Sequence, residues 1–267
     1  AQAIRPHVSF EAESGTRQGA VAVNSDGTAG GGQYLGFTSP QSGTTGRCQH
    51  TPARICYNGQ TWYLNGVNTP WLEWNGDFGG GGVTRNRTEI SNRFAAYRTT
   101  GSTVVRWWLL EGGAWQVNRD SSGRPTSLNP AIYNDIDVAL ELAAQHDLYY
   151  TFTLFSGMSN DSIPSSWRTN TTHRQALADV LAPLFARYKD NPRVMTWEIW
   201  NEPEWQYWNG IDGATQEQAV DIANRIITVV RREAPKAMTT VGQATVGALR
   251  DWRNVDLDYD SPHWYDP

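Results

Sequence analysis

The run Trp197-Glu198-Ile199-Trp200-Asn201-Glu202-Pro203-Glu204-Trp205 is where this sequence is best equipped to do chemistry. It reads as an apolar strand that ends at Asn201-Glu202 and is stopped by Pro203, which has no N–H to extend a ladder. Glu202 then stands at a strand end with tryptophan on both sides. A carboxyl group among apolar rings is poorly solvated when ionised, so its pKa is expected to rise, making it a proton donor. The tripeptide Asn-Glu-Pro carries little by itself, because a polar strand end closed by proline is common. Its place among the rings gives it weight.

Those rings belong to a wider bias. The chain has 267 residues with 13 Trp and 25 Gly, against only 3 Met. Flat rings can serve as platforms for the apolar faces of pyranoses, although tryptophan also fills cores. Trp71, Trp74, Trp205 and Trp208 are the candidate sugar platforms. A net charge of −5 argues against a nucleic-acid partner, which would want a basic face. No apolar run is long enough for a membrane span. No leader-like segment is present, and a start at Ala1-Gln2-Ala3 suits a mature chain whose leader has gone. Cys48 and Cys56 are too few for a cysteine-built zinc site. A disulfide between them fits a secreted, extracellular protein, the alternative being two unpaired thiols in a surface loop. No metal and no cofactor are expected.

The elements that must position Glu202 follow from the periodicity. Residues 1–59 show no helical period and read as short β or irregular pieces, His7–Ala12, Ala20–Val23 and Gln33–Phe37, between Gly-rich breakers. From residue 60 onward, apolar β-rich runs alternate with helical stretches. The strands are expected at Thr61–Val67, Ser102–Leu110, Leu148–Phe155, Val194–Trp200, Thr239–Gly242 and Leu257–Tyr265. Helices are expected around Thr88–Thr99, Pro130–His146, His173–Tyr188, Gln216–Glu233 and Val246–Trp252. Repeated strand-then-helix units mean a parallel sheet with helices outside it. The glycines at 79–82 follow a Trp-rich loop rather than a strand end, so a dinucleotide site is not indicated. A complete (β/α)8 barrel uses about 250 residues, so residues 60–267 suit about six units. The fold class is α/β of the TIM-barrel type, and the C-terminal strand ends should carry the site.

From about Thr61 the chain resembles clan A glycoside hydrolases, and is most similar to the cellulase and mannanase group of family 5. Trp62-Tyr63-Leu64-Asn65-Gly66-Val67-Asn68 resembles that group's opening strand. Arg106 matches its second-strand arginine, Asn201-Glu202 its asparagine and acid/base pair, and His263-Trp264-Tyr265 its His-x-Tyr after the sixth strand. The resemblance implies cleavage of a β-linked glucan or mannan by retaining double displacement. Glu202 would be the general acid/base and Asn201 would bind the sugar 2-hydroxyl. Arg106 would orient the nucleophile, while His263 would donate to substrate and Tyr265 to the nucleophile. The family's nucleophile follows the seventh strand, so it is expected beyond residue 267, supplied by a missing C-terminal segment or a second chain. Glu73, Glu111 and Glu204 do not match its position. A carbohydrate-binding protein without the chemistry is the alternative. Residues 7–37 resemble the first strands of a β-sandwich carbohydrate-binding module.

Overall fold

The computed structural model describes residues 21–25, 33–37, 46–48, 55–111, 115–156 and 163–265. The chain divides into two compact units, Ala1–Gly43 and Thr44–Pro267. In the first, β1 (Val21–Ser25) and β2 (Gln33–Phe37) pair antiparallel, with Val21 opposite Phe37. The expected piece His7–Ala12 lies outside the described residues.

The second unit opens with the Cys48–Cys56 disulfide, whose Cα atoms are 5.4 Å apart. Cys56 lies on β3 (Ile55–Tyr57), which turns back into β4 (Gln60–Trp62) through Asn58-Gly59. Both turn residues have positive φ, 53° and 72°, as a two-residue hairpin requires. This corrects the expected first strand. Thr61 and Trp62 pair backwards with β3, and the first barrel strand is only β5 (Gly66–Asn68). Gly66 is needed there, because a Cβ would sit 2.4 Å from the Val104 carbonyl oxygen.

Helices α1 (Gly82–Arg85) and α2 (Arg87–Thr99) lead to β6 (Val104–Trp108). A small antiparallel hairpin, β7 (Val117–Arg119) and β8 (Pro125–Leu128), occupies what the sequence suggested was loop. Then come α3 (Ala131–Gln145), β9 (Tyr149–Ser156), α4 (Ser165–Thr169), α5 (Thr171–Tyr188) and β10 (Val194–Asn201). After them follow α6 (Glu204–Trp208), α7 (Gln216–Glu233), β11 (Met238–Gln243), α8 (Leu249–Trp252) and β12 (Ser261–Pro262). The helix expected over Val246–Trp252 opens with a 3-10 turn at Val246–Ala248 before α8.

Six strands form one sheet in the order β12-β11-β10-β9-β6-β5, every neighbouring pair parallel. This is the architecture of an incomplete (β/α)8 barrel. Every residue of β10 and β11 is buried, as central strands covered on both faces must be. The helices dock by amphipathic stripes. In α7, Thr215 and Gln218 form a reciprocal capping box, and Ala219, Ile222, Ala223, Ile226 and Val230 are buried at helical spacing. Along β6 the side chains alternate. Trp107 packs on Phe78 with ring centroids 5.1 Å apart and joins the main core, leaving Arg106 and Trp108 to share the opposite face.

The last strand is also shorter than expected. Beside β11, the Thr239 N–H donates to the Asp258 carboxylate at 2.7 Å and the Thr240 hydroxyl to the Tyr259 carbonyl at 2.7 Å. One backbone bond, from the Asp258 N–H to the Thr239 carbonyl at 2.9 Å, lies among these side-chain bonds, and strand pairing begins only at Gly242–Ser261. Among the described residues no helix is long and apolar enough to cross a membrane.

Candidate active site

The site is built where β6, β10, β11 and β12 end. Arg106 on β6 is half-buried, and its guanidinium is a hub. Its Nε donates to Glu198 Oε2 at 2.7 Å and its Nη2 to the other oxygen of the same carboxylate. Nη2 also donates to Asn201 Oδ1 at 2.7 Å, and Nη1 to Asn68 Oδ1 at 3.0 Å. Burial opposes the arginine's charge, but the Glu198 carboxylate outweighs it and holds the guanidinium above its ordinary pKa.

Glu198 and Asn201 are three residues apart, so a straight strand would point them to opposite faces. A bulge brings them together. Against β11, Glu198 pairs with Thr240 and Asn201 with Gly242, so three steps on β10 match two on β11. An extra residue of this kind re-aims side chains next to a site.

Glu202 follows at φ 49°, a left-handed conformation that a non-glycine residue adopts at a cost of about 1–3 kcal/mol. Its backbone is tied by a 2.6 Å bond from its N–H to the Gly242 carbonyl. The carboxylate is buried and held at both oxygens. Oε1 lies 2.5 Å from His263 Nδ1 and accepts from the Tyr265 hydroxyl, while Oε2 accepts from Trp205 Nε1 at 3.1 Å. Burial works to raise this carboxyl, but the hydrogen bonds from His263, Tyr265 and Trp205 prevail and hold it below its ordinary pKa. This corrects the expectation of a raised value. The physical reason is that Trp205 presents its indole N–H, not only its apolar face, and two further donors share the remaining oxygen. Burial and the bond to Glu202 push the Tyr265 hydroxyl up to about 12.

Arg106 and Asn201 thus form one hydrogen-bonded group with Glu198, and Glu202, His263, Tyr265 and Trp205 form a second, the two meeting where Asn201 is followed by Glu202. The Trp208 ring stands edge-on to Trp205 at 5.7 Å. Arg106 bonds Glu198 here, and Tyr265 bonds Glu202. Trp71 and Trp74 form a separate T-shaped pair, centroids 4.7 Å apart, and Trp71 packs on Trp108 at 5.3 Å. The other carboxylates are committed elsewhere. Glu73 pairs with Arg85 at 2.5 Å, Glu111 accepts from the Asn75 N–H at 3.1 Å, and Glu204 accepts from Trp252 Nε1 at 2.5 Å and from the Ala244 N–H at 3.0 Å.

Sequence reasoning passed over Glu198, Asn68 and Gly242. A carboxylate inside a strand buried along its whole length is a signal in hindsight, because such a charge requires a partner. Gly242 stood out least, yet a Cβ there would lie 2.7 Å from Glu198 Oε1 and 3.0 Å from His263 Nε2.

Comparison with known proteins bears on this arrangement. A family model described as Cellulase (glycosyl hydrolase family 5) matches residues 57–266. A mannan endo-1,4-beta-mannosidase of Cryptopygus antarcticus is 25% identical over 210 residues, 70% of this chain and 55% of that protein. One from Mytilus edulis is 26% identical over 169 residues, 61% of this chain and 46% of that protein. The chain spans about half the length of these curated relatives. The beta-mannanase structure from the blue mussel Mytilus edulis superposes with a TM-score of 0.69 at 22% identity, covering 77% of this chain and 65% of that one. That from the sea hare Aplysia kurodai gives 0.67 at 20% identity, covering 79% and 68%. At such identities the structures share a fold. Matched over residues 57–266, the chain belongs to glycoside hydrolase family 5.

Proposed function

We propose that this chain carries the acid/base half of a retaining β-mannan hydrolase, with Glu202 as the general acid/base. The observation that carries the reading is the Glu202 carboxylate, fixed by a strained backbone at a strand end and gripped by three donors beside the Arg106–Asn201 pair. The relatives' names point to mannan rather than glucan.

In this reading Glu202 gives a proton to the leaving glycosidic oxygen while a second carboxylate attacks the anomeric carbon. Glu202 then takes a proton from the water that hydrolyses the glycosyl ester. Asn201, braced by Arg106, bonds the sugar 2-hydroxyl. The nucleophile is a glutamate beyond residue 267. Glu198 cannot serve, being fully buried with both oxygens on Arg106. A nucleophile about 5 Å away would act on Glu202 in two ways. Its negative charge raises the acid/base, and it competes for the Tyr265 hydroxyl. Glu202, ionised in the arrangement seen here, then becomes a proton donor. A secreted setting is supported by the disulfide. A carbohydrate-binding role for residues 1–59 is supported by the β1–β2 hairpin.

The test is turnover of β-1,4-mannan by the full-length protein and by this chain, with product anomers followed by NMR. The full-length protein should act with retention, and Glu202→Gln should lower its kcat by roughly 100-fold or more. This chain alone should bind mannan oligosaccharides with little or no turnover. Inversion by the full-length protein, or an active Glu202→Gln variant, would sink the assignment.

A further inference from the structure

The loop between β5 and α1 is anchored at unusual expense. Asp77, fully buried, accepts from the Leu72 N–H at 2.7 Å, the Glu73 N–H at 2.8 Å and Trp107 Nε1 at 2.8 Å. Asp135 reaches up from α3 to accept from the Gly79, Gly81 and Thr84 N–H groups. Glu111, 1% exposed, accepts from the Asn75 N–H with Oε1, while its Oε2 is buried without a partner. Burying a carboxyl costs several kcal/mol unless it is compensated, so three beneath one loop mark a shape that must be kept.

What the loop displays is apolar. Trp71 and Trp74 remain 36% and 46% exposed, although tryptophan is ordinarily well buried. They are not isolated from the chemistry. Trp71 packs on Trp108, and the Arg106 guanidinium lies 5.9 Å from the Trp108 ring, so rings run from the hub of the site to the outer rim. Asn75 sits between this pair and Asp77 in sequence and takes a left-handed φ of 58°. Its N–H therefore points where a helical or extended residue would not direct it, and Glu111 is what meets it.

We propose that Trp71 and Trp74 form one wall of a sugar subsite remote from the cleavage point, and that Glu111 is its positioning residue, acting through the Asn75 amide. The inference rests on the reading of the groove as a β-mannan site. The surroundings of Glu111 favour its neutral acid form. Burial first, and the Asp77 carboxylate second, push it up to about 8. A neutral carboxyl can accept from the Asn75 N–H without placing a second full charge near Asp77. Glutamine should therefore replace it, and alanine should not.

The experiment uses this chain with Glu111→Gln, Glu111→Ala and Trp71→Ala. Backbone hydrogen exchange is read at Asn75, and binding of β-1,4-mannopentaose and mannobiose by calorimetry. Glu111→Gln should keep exchange and affinity within about twofold of the unaltered chain. Glu111→Ala should speed exchange at Asn75 about tenfold and weaken mannopentaose about five- to tenfold. Mannobiose, too short to span both regions, should be little affected, and Trp71→Ala should reproduce the length-dependent loss without speeding exchange at Asn75. Unchanged exchange at Asn75 in Glu111→Ala, or equal losses for the glutamine and alanine variants, would overturn the inference alone. Failure of the unaltered chain to bind either oligosaccharide would overturn the mannan reading and the subsite with it.

Discussion

Glu202 and Gly242 hold each other in place across the bulged edge of β10. The Glu202 N–H donates to the Gly242 carbonyl at 2.6 Å, and the missing side chain of Gly242 leaves the space into which Glu198, His263 and Arg106 converge. A Cβ at Gly242 would stand 3.2 Å from Arg106 Nη2 as well. Because Glu198 is pinned at both oxygens, it cannot swing away cheaply. Gly242→Ala should therefore destabilise the fold by about 1–3 kcal/mol, as overpacked cores do. Urea denaturation checks the stability, and loss of oligosaccharide binding would show that the convergence itself is disturbed.

Removing the partner of Arg106 should cost more. Glu198→Gln keeps the shape but leaves a mostly buried guanidinium without its counter-charge, and breaking a buried pair typically costs about 3–5 kcal/mol. The same denaturation series tests it, and a loss below about 1 kcal/mol would mean that Asn201 and Asn68 suffice.

Glu202 should make stability depend on acidity in one direction. Its folded pKa lies below the unfolded value of about 4.3, so its contribution is full above that value. It is lost as pH falls through the folded pKa. The stability gap between the unaltered chain and Glu202→Gln should narrow between pH 6 and pH 3. Tyr265→Phe removes one donor and should move the Glu202 titration, followed by carboxyl carbon NMR, back toward the ordinary value.

Glu111 should act with the opposite sign. A carboxyl raised to about 8 in the folded chain contributes most below its unfolded pKa. That contribution declines as pH climbs from there through about 8. Glu111→Gln should flatten the fall in stability between pH 6 and pH 9, measured by thermal unfolding across that range.

The disulfide closes a short loop, and the chain-entropy account gives about 2.5 kcal/mol for one of this length. Reduction should lower the unfolding free energy by that order, read by urea denaturation with and without reductant.

Much of the fold was legible because the barrel strands are apolar and the helices keep a 3.6-residue stripe; α7 falls at Gln216–Glu233, where its stripe and Thr215 cap require it. The first strand was misread for a local reason. Asn58-Gly59 is a hairpin turn, and it captures Thr61 and Trp62 before the barrel can. Glu202 was visible as a strand-end carboxyl, but its protonation was not, because the direction of the Trp205 N–H is a matter of three dimensions. The bond between Arg106 and Glu198 was hidden more deeply. It depends on the register of β6 and β10 across β9, and Asn201 joins it only through the offset between β10 and β11; registers are set by ladder geometry rather than by residue type.

That offset also constrains how this sequence can be altered. On a regular strand, two residues could be inserted between Glu198 and Glu202 and each side chain would still face its old direction. Here the odd step is already spent on setting Asn201 beside Glu198, so the four-residue interval behaves like a gear tooth. Insertions or deletions of any length within it would turn either Asn201 or Glu202 out of mesh. Loop grafts on this scaffold should therefore begin after Pro203 and leave the bulge whole.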